Sequence, residues 1–291
     1  MSVVAQTSGF AGEKAVRAAQ RVHEISTLPQ VALNIIRVAD DPNSSAADLK
    51  SVMEADAALS ARVIRCVNSS AYGLRSKITN LQQAIAYLGL KQIRNLAVTA
   101  TVSDLFKAGD GVGPYRRTEL WRHLVGVGLC ARMLAMRLRI SNFEDVFLAG
   151  LLHDIGIILI DQHYHSQFVR IIESLQESVT LCEVETQVLG FSHVELGAAL
   201  AEQWSFPISA TAAIRYHHQA AAYRGEHIAL IRCVEVANLI CTLKGMPSVG
   251  MNLLRFNPQS VAALGLTATD LKVLATDLDE ELSAQSGLFQ I

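Results

Sequence analysis

The chain has 291 residues, of which 51% are apolar and 18% are charged, against about 25% charged residues in an average soluble protein. This composition excludes an intrinsically disordered chain, which combines low hydrophobicity with high net charge. The 25 Lys and Arg residues nearly balance the 27 Asp and Glu residues, for a formal net charge of −2, which excludes a uniformly basic nucleic-acid binder but not a local basic patch.

Helical periodicity runs through the first third of the chain. Ser45, with Asp48 three residues later, is predicted to cap a helix. The spacing of apolar residues predicts helices over residues 14–23, 31–40, 46–54, 57–69, 81–88 and 91–106. We therefore expect a flexible N-terminus over residues 1–14 and an N-terminal helical lobe over residues 15–108.

Three glycines and a proline within residues 109–114 stop any helix and predict a boundary. Residues 115–291 are predicted to form a second helical lobe that ends in an amphipathic helix with an acidic face. No convincing period-two alternation of apolar and polar residues occurs, so we predict an all-α fold. The predicted helices of this lobe cover residues 115–138, 142–152, 155–162, 166–176, 182–189, 193–204, 209–218, 227–243 and 270–284.

The mean hydropathy of +0.28 raises the question of a membrane span. A spanning helix needs about 20 consecutive apolar residues, and the best apolar run, residues 146–160, is interrupted by His153 and Asp154. Residues 1–12 lack the basic and apolar regions of a signal peptide. The 5 cysteines form no Cys-x-x-Cys pair, which is typical of reduced, buried thiols. We expect a cytoplasmic protein without membrane contact.

The contexts of the histidines are more informative than their number. His153 and Asp154 lie inside an apolar run, where a charged carboxylate is costly unless it is paired, hydrogen-bonded or bound to a metal. Glu119 precedes His123 by four residues, which places both on one face of the long helix before that run. A lone histidine is more often a surface or hydrogen-bonded residue than a ligand. That interpretation is kept for His23, His163, His165 and His227.

Three further histidines are candidates for the same site. His193 opens a predicted helix, and His217 and His218 are adjacent near the end of another. Adjacent helical residues point in different directions. Either one of the pair is a ligand with the other behind it, or both ligate across the helix end, and the sequence leaves both alternatives open.

These motifs resemble a known family. Residues 151–156, Leu-Leu-His-Asp-Ile-Gly, with His123 lying 30 residues before His153, resemble the HD superfamily of metal-dependent phosphohydrolases. Segments of both predicted lobes resemble more narrowly the HD-related output domain, HDOD, over about residues 22–245. These segments are residues 28–29 (Leu-Pro), 48–56, 59–69, 71–73 (Ala-Tyr-Gly), 78–89, 190–197, 204–207 and 217–218 (His-His).

The resemblance implies a fold and a cellular role. The fold would be an HD-superfamily helical bundle with the N-terminal helical lobe packed on it. The role would be in bacterial signal transduction, where such domains often stand beside receiver or cyclic-dinucleotide domains.

The resemblance also implies a metal site. Hydrolytic relatives, which include the HD-GYP phosphodiesterases, hold two or three metal ions with histidines and carboxylates, and a bridging hydroxide attacks the phosphodiester. Here it implies one or two divalent ions, with Fe, Mn, Ni or Zn suited to a histidine-rich site. Asp154 would bridge the metals and be the catalytic residue if the protein is active. The matching positions are Glu119, His123, His153, Asp154, His193, His217, His218 and, at the closing position, Asn238.

Three departures from the hydrolytic pattern argue against catalysis. The closing aspartate of a Val-Ala-Asp sequence is Asn238, which removes one negative charge from the site. The lysine that often follows His-Asp-x-Gly is Ile157, and the Gly-Tyr-Pro substrate loop is replaced by residues 219–225 (Gln-Ala-Ala-Ala-Tyr-Arg-Gly). The metal can therefore survive while the substrate apparatus is lost.

The small net charge hides an asymmetry, because no acidic residue occurs between Asp56 and Asp104. If the basic side chains of this stretch share a face, the N-terminal lobe presents a positive surface to an anionic partner. The alternative is that they are scattered over several helices and that some pair with acids of the second lobe. The basic residues are Arg62, Arg65, Arg75, Lys77, Lys91 and Arg94.

Three functional hypotheses remain. The leading one is a non-catalytic module that acts through contacts with signalling proteins and keeps an HD-like metal or ligand pocket. The second is a metal-dependent phosphohydrolase, namely a phosphodiesterase of a cyclic dinucleotide or another nucleotide. The third is a regulator that binds nucleic acid or another anion through the basic stretch. For nucleic acid the support is weak, because no helix carries a base-reading set of side chains and aromatic residues are sparse there.

Overall fold

The protein is built of α-helices in a computed structural model that describes residues 12–25, 28–69, 72–107, 109, 111–253 and 257–285. Within these residues the extended pairing is a single isolated bridge between Val112 and Tyr115, so the predicted all-α fold is confirmed. Short 3₁₀ helices lie at Ser103–Phe106 and Ala220–Ala222. The α-helices are α1 (Glu13–Ile25), α2 (Gln30–Asp40), α3 (Ala46–Glu54), α4 (Ala57–Val67), α5 (Leu81–Leu88), α6 (Leu90–Val102), α7 (Arg117–Arg137), α8 (Phe143–Leu152), α9 (Ile155–His163), α10 (His165–Ser174), α11 (Leu181–Leu189), α12 (His193–Gln203), α13 (Ile208–Tyr216), α14 (Ile228–Leu243), α15 (Pro258–Ala263) and α16 (Ala268–Ala284).

Side-chain caps decide where several helices begin. Ser45 and Asp48 form a capping box, in which each side chain accepts a hydrogen bond from the other residue's backbone N–H. Thr267 and Asp270 form the same box. Because that cap lies before the first apolar residue of the periodic pattern, α16 begins earlier than the predicted start at residue 270.

Two other elements differ from the helical periodicity. The helix predicted over residues 115–138 begins only at Arg117, because the backbone of Tyr115 is held in the bridge to Val112. The helix α15 was not predicted, since six residues are too short to show a helical period. Its start is marked by a cap from Asn257 and by Pro258 at the first helical position.

The N-terminal helices pack mainly on one another. The helix α2 contacts α3 and α6, and α4 and α5 also contact α6. The helix α1 packs instead against α12, in the second half of the chain. Of the N-terminus predicted to be flexible, residues 1–11 lie outside the described residues, and Glu13 already opens α1. The division into lobes at residues 108 and 115 stays a prediction.

The helix α8 is the central element of the second half of the chain. It contacts α6, α7, α13 and α14, and all of its residues from Val146 to Leu152 are buried. Glycines allow α7 and α8 to approach closely, because a Cβ atom on Gly150 would lie 2.8 Å from the Cα atom of Gly128. The end of α8, where His153 and Asp154 follow, therefore lies deep inside the bundle.

No helix in the described ranges is both long enough and apolar enough to cross a membrane.

Candidate metal centre

Imidazole and carboxylate side chains from distant parts of the chain meet inside the bundle. His123 comes from α7, and His153 and Asp154 lie between α8 and α9. Two more histidines, His193 and His217, join these three side chains, and all five are fully or almost fully buried. A sixth residue, His218, is half-buried. The histidine cluster, as we call it, comprises His123, His153, Asp154, His193, His217 and His218.

Asp154 lies at the centre of the histidine cluster. Its Oδ2 atom is 3.2 Å from His153 Nε2 and 3.6 Å from His123 Nε2. Its Oδ1 atom is 3.0 Å from His217 Nε2 and 3.2 Å from His193 Nε2. Each carboxylate oxygen is therefore approached by two imidazoles.

The Nε2 atoms also lie close to one another. The distances are 3.3 Å between His123 and His153, 3.1 Å between His217 and His218, and 3.3 Å between His193 and His218. Two neutral nitrogens at this distance form a hydrogen bond only if one of them carries the proton. The proton positions therefore decide what this arrangement can bind.

Backbone carbonyl groups hold the outer nitrogen of three imidazoles. His123 Nδ1 donates to the Met246 carbonyl oxygen at 2.6 Å, and His153 Nδ1 donates to that of Gly150 at 2.7 Å. His217 Nδ1 lies 3.0 Å from the carbonyl oxygen of Ile214. Because a carbonyl oxygen only accepts, the proton of each neutral ring is on Nδ1. The Nε2 lone pair then faces inward, which is the arrangement of metal-binding histidines.

The protonation states agree with this assignment. Burial lowers the pKa of His123 and of His217 to about 4 and that of His218 well below its ordinary value, so these rings are neutral at pH 7. Burial would raise the pKa of Asp154, but the neighbouring imidazoles, His153 foremost, hold it well below its usual range. The site therefore combines one carboxylate with inward-facing lone pairs.

The residues present fit a divalent transition metal. Asp154 Oδ1 is buried and has no hydrogen bond of good geometry among the described residues, although two imidazoles approach it. A polar atom buried in this way costs free energy unless a cation or a donor satisfies it. Several imidazoles with one carboxylate suit Fe, Mn, Ni or Zn.

The structure leaves one predicted ligand, Glu119, outside the histidine cluster, whereas Asn238 lines the same cavity as His193, His217 and His218. Glu119 is in the first turn of α7, where its side chain is 51% exposed and lies 3.8 Å from Arg122. It lies about 6 Å from His123 along the helix, on the solvent-facing side of the first turn, whereas its neighbour Leu120 is buried. Asn238, on α14, is buried, and its Oδ1 accepts a hydrogen bond from Thr242 at 3.4 Å.

Glu185, which we did not predict, holds the fourth imidazole. Its Oε2 atom accepts hydrogen bonds from His193 Nδ1 at 2.7 Å and from the His193 backbone N–H at 2.8 Å. Burial opposes protonation of His193, but Glu185 raises its pKa well above the ordinary value, so a metal would have to displace a proton there. A sequence signal existed, since Glu185 shares the buried face of α11 with Leu181, four residues earlier.

Replacing Glu185 with glutamine is expected to weaken metal binding by about 10- to 100-fold, because the neutral amide oxygen still accepts from His193 but polarises the imidazole less than the carboxylate does. The measurement is a competitive metal titration of the purified variant. Glu195→Gln is the matched control. Glu195 caps α12, the helix that His193 opens, through Ser192, and it has no hydrogen bond to the His193 side chain. Equal losses of affinity in the two variants would contradict the role given to Glu185.

A cavity of about 570 Å³ adjoins the histidine cluster. The residues that line it include His193, His217, His218 and Asn238. The lining that the structure describes includes carboxylates and no Lys or Arg side chain.

The basic stretch does not form one positive surface. Arg94 is fully buried, and it pairs with Asp145 at 3.0 Å. Arg94 is therefore not part of an exposed positive surface, because its side chain is buried against Asp145 at the start of α8. Lys91 pairs with the same carboxylate at 2.6 Å, and Arg62 lies 3.4 Å from Asp104. The exposed members of the predicted set are Arg65, Arg75 and Lys77.

Replacing Arg94 with methionine is expected to lower the free energy of unfolding by about 3 kcal/mol, since it leaves a mostly buried carboxylate with one partner fewer. Lys91→Met removes the more exposed partner of Asp145, 41% exposed, and should cost less than about 1 kcal/mol. Urea denaturation of the two variants measures the difference. A larger loss in Lys91→Met would show that the buried pair is not the stabilising one.

The fold and the histidine cluster together define an all-α protein with a buried imidazole–carboxylate site. The sequence model of the HDOD domain matches residues 25–220, which is more than half of the chain. The chain therefore belongs to the HDOD domain family.

Solved structures resemble the chain over most of its length. An HDOD domain protein of unknown function from Geobacter sulfurreducens superposes with a TM-score of 0.78 at 28% identity, covering 95% of this chain and 97% of that one. A candidate phosphohydrolase from Shewanella amazonensis SB2B gives 0.74 at 22% identity, with 97% and 98% covered. A candidate signal transduction protein from Marinobacter aquaeolei VT8 gives 0.74 at 24% identity, with 94% and 63% covered. The likeness to the last two shows the fold alone.

A curated relative is longer than this chain. An uncharacterized protein from Treponema pallidum (strain Nichols) is 26% identical over 223 residues, which are 76% of this chain and 43% of the relative. The chain thus spans less than half the length of that relative.

Proposed function

We propose that this protein is a metal-binding regulatory module of bacterial signal transduction that acts through contacts with signalling proteins and does not hydrolyse phosphodiesters. The observation that carries the proposal is the orientation of the imidazoles, whose outer nitrogens donate to Met246, Gly150 and Glu185 while their inner nitrogens face Asp154. A divalent ion bound there would neutralise the carboxylate and tie together the helices that carry its ligands.

Two features of the site support a role without hydrolysis. Ile157, which stands where related hydrolases often have lysine, is fully buried in α9 and has no group to offer a phosphate. The described lining of the cavity beside His193 and His217 carries no Lys or Arg. Phosphoryl transfer relies on cationic groups that stabilise the charge developing on the phosphate oxygens, and apart from the metal the described cavity lining offers no Lys or Arg for this.

The central helix supports a regulatory role. The helix α8 leads at its C-terminal end to His153 and Asp154. At its other end Asp145 is bound by Lys91 and Arg94 of α6, and the Glu144 carbonyl oxygen accepts hydrogen bonds from the same helix. A shift of α8 caused by a change at the histidine cluster would therefore act directly on the N-terminal helices.

Metal analysis combined with a hydrolysis assay tests this proposal. We expect the purified full chain to retain Fe, Mn, Ni or Zn and to show no more hydrolysis of cyclic di-GMP or of nucleotides than Asp154→Ala. Metal-dependent hydrolysis that Asp154→Ala abolishes would overturn the proposal in favour of a phosphohydrolase, which the nearly complete ligand set favours as second candidate. Absence of metal after both aerobic and anaerobic purification would remove the metal-binding part.

A further inference from the structure

The cavity beside the histidine cluster has the size of a ligand pocket. Its volume of about 570 Å³ is within the range of about 300–1,000 Å³ found for small-molecule sites. One wall is a single face of α14, formed by Glu235, Asn238, Leu239 and Thr242 at helical spacing. Residues of α11, among them Thr186, also line the cavity.

Apolar side chains form much of the lining of the cavity. They come from α11, α14, α15 and the segment around residues 247–253, so several elements enclose the cavity together. A ligand with an apolar body would release water from this surface on binding. The apolar lining residues are Leu181, Val236, Leu239, Pro247, Val249, Met251, Leu253 and Val261.

Glu235 carries an unsatisfied oxygen in this lining. The Ser260 hydroxyl donates to its Oε2 atom, whereas Oε1 is buried without a hydrogen bond of good geometry among the described residues. Burial raises the pKa of Glu235, while Ser260, the Ala220 amide, Asn257 and the charge of Arg232 offset that effect in part. Burial outweighs these donors and the charge of Arg232, so the ionised carboxyl group is incompletely stabilised and its remaining oxygen calls for one more donor.

The charged residues of the cavity lining indicate whether the donating group of the ligand is cationic or anionic. The described lining contains the carboxylates of Glu183 and Glu235 and no Lys or Arg. Beside Glu235 an anionic head group would be repelled by the carboxylate and would meet no Lys or Arg side chain of the described lining. An ammonium group would instead form a charge-assisted hydrogen bond with the free oxygen of Glu235.

We infer that this cavity binds a small organic cation, with an apolar body between α11 and α14 and an ammonium group on Glu235. Its ammonium group binds at Glu235, which is not one of the predicted metal ligands and is held by Ser260. The statement that this ligand acts as an input signal rests on the proposed function. The statement that the cavity binds it does not.

A matched series of probes tests the inference. Octylamine, octanol and octanoate share one apolar body and differ in head group, and each is titrated by calorimetry into the full chain, with metal and without. We expect octylamine to bind at least about ten-fold more tightly than the other two, because only its head group forms the charge-assisted pair. Glu235→Gln should remove this preference.

Two further variants control for indirect effects. Glu226→Gln removes a carboxylate that is 86% exposed and outside the cavity lining, and it should leave the octylamine preference unchanged. Thr186→Trp fills the cavity from an exposed position of α11 and should abolish binding of all three probes. Because Thr186 is exposed, this variant is expected to fold.

The outcomes separate this inference from the proposed function. Equal binding of the three probes, preference for octanoate, or an unchanged preference in Glu235→Gln would overturn the inference. A chain that holds no metal but binds octylamine through Glu235 would support the inference and count against the metal site. A chain that holds metal but binds the three probes equally would support the metal site and contradict the inference.

Discussion

Replacing Gly156 with valine is expected to lower the free energy of unfolding by more than about 4 kcal/mol, which puts it among the most damaging single substitutions. Gly156 lies in the first turn of α9, where it touches the backbone of His193 at the start of α12. A Cβ atom there would lie 2.8 Å from the His193 carbonyl carbon and closer still to the carbonyl oxygen. The obstacle is backbone, so a side-chain rotation cannot relieve it.

The same substitution should also displace the histidine cluster, because α9 follows Asp154 directly and α12 carries His193. Thermal or urea denaturation measures the stability, and a metal titration of the folded fraction measures the site. Gly126→Ala is the control, since a Cβ atom there meets only side-chain atoms, the nearest being Met246 at 3.4 Å, and alanine favours a helix by about 1 kcal/mol. Wild-type stability of Gly156→Val would contradict the backbone contact.

Asp154→Asn is expected to weaken metal binding by at least about 100-fold, because it removes the only carboxylate among the described residues of the histidine cluster while keeping its shape. At a metal concentration 100 times its dissociation constant, the wild-type chain gains about 2.7 kcal/mol of stability. The variant at the same concentration should gain no more than about 0.4 kcal/mol. Thermal unfolding with and without added Mn²⁺ or Zn²⁺ measures both gains.

Glu119→Gln provides the matched comparison for Asp154→Asn. Both changes neutralise a carboxylate that the family resemblance marks as a ligand, but the Glu119 side chain is 51% exposed and lies beside Arg122. The metal affinity of Glu119→Gln should equal that of the wild-type chain. A loss in this variant as large as that in Asp154→Asn would show that Glu119 reaches the metal in the loaded protein.

Much of the site followed from local sequence. The apolar run around His153 and Asp154 predicted a buried carboxylate, and a buried carboxylate requires compensating partners. The family resemblance then implied His123, His193 and the His217–His218 pair as ligands, and the structure places these side chains around that carboxylate. Helix positions followed equally well, because apolar spacing at period 3.6 and caps such as that of Ser45 are local properties.

Other parts of the site left no local mark. The acceptors that orient His123 and His153 are backbone carbonyl oxygens of Met246 and Gly150, and every residue has such a group. The helical spacing of Glu119 and His123 was correct, yet it could not show that the Glu119 side chain lies in solvent. A shared helix face says which residues are neighbours, not what covers them.

The amino-acid sequence by itself determined that the protein is all-α, that it carries an HDOD-type histidine and aspartate set, and that Asp154 is buried. Only the tertiary structure decided that Arg94 is an internal partner of Asp145 and that Glu185 holds His193. It also decided that a cavity lies between α11 and α14. The physical reason is the sequence separation of the residues that interact. Periodicity and caps depend on neighbours within one or two helical turns. Charge pairing across α6 and α8, and the space between α11 and α14, depend on how distant helices pack.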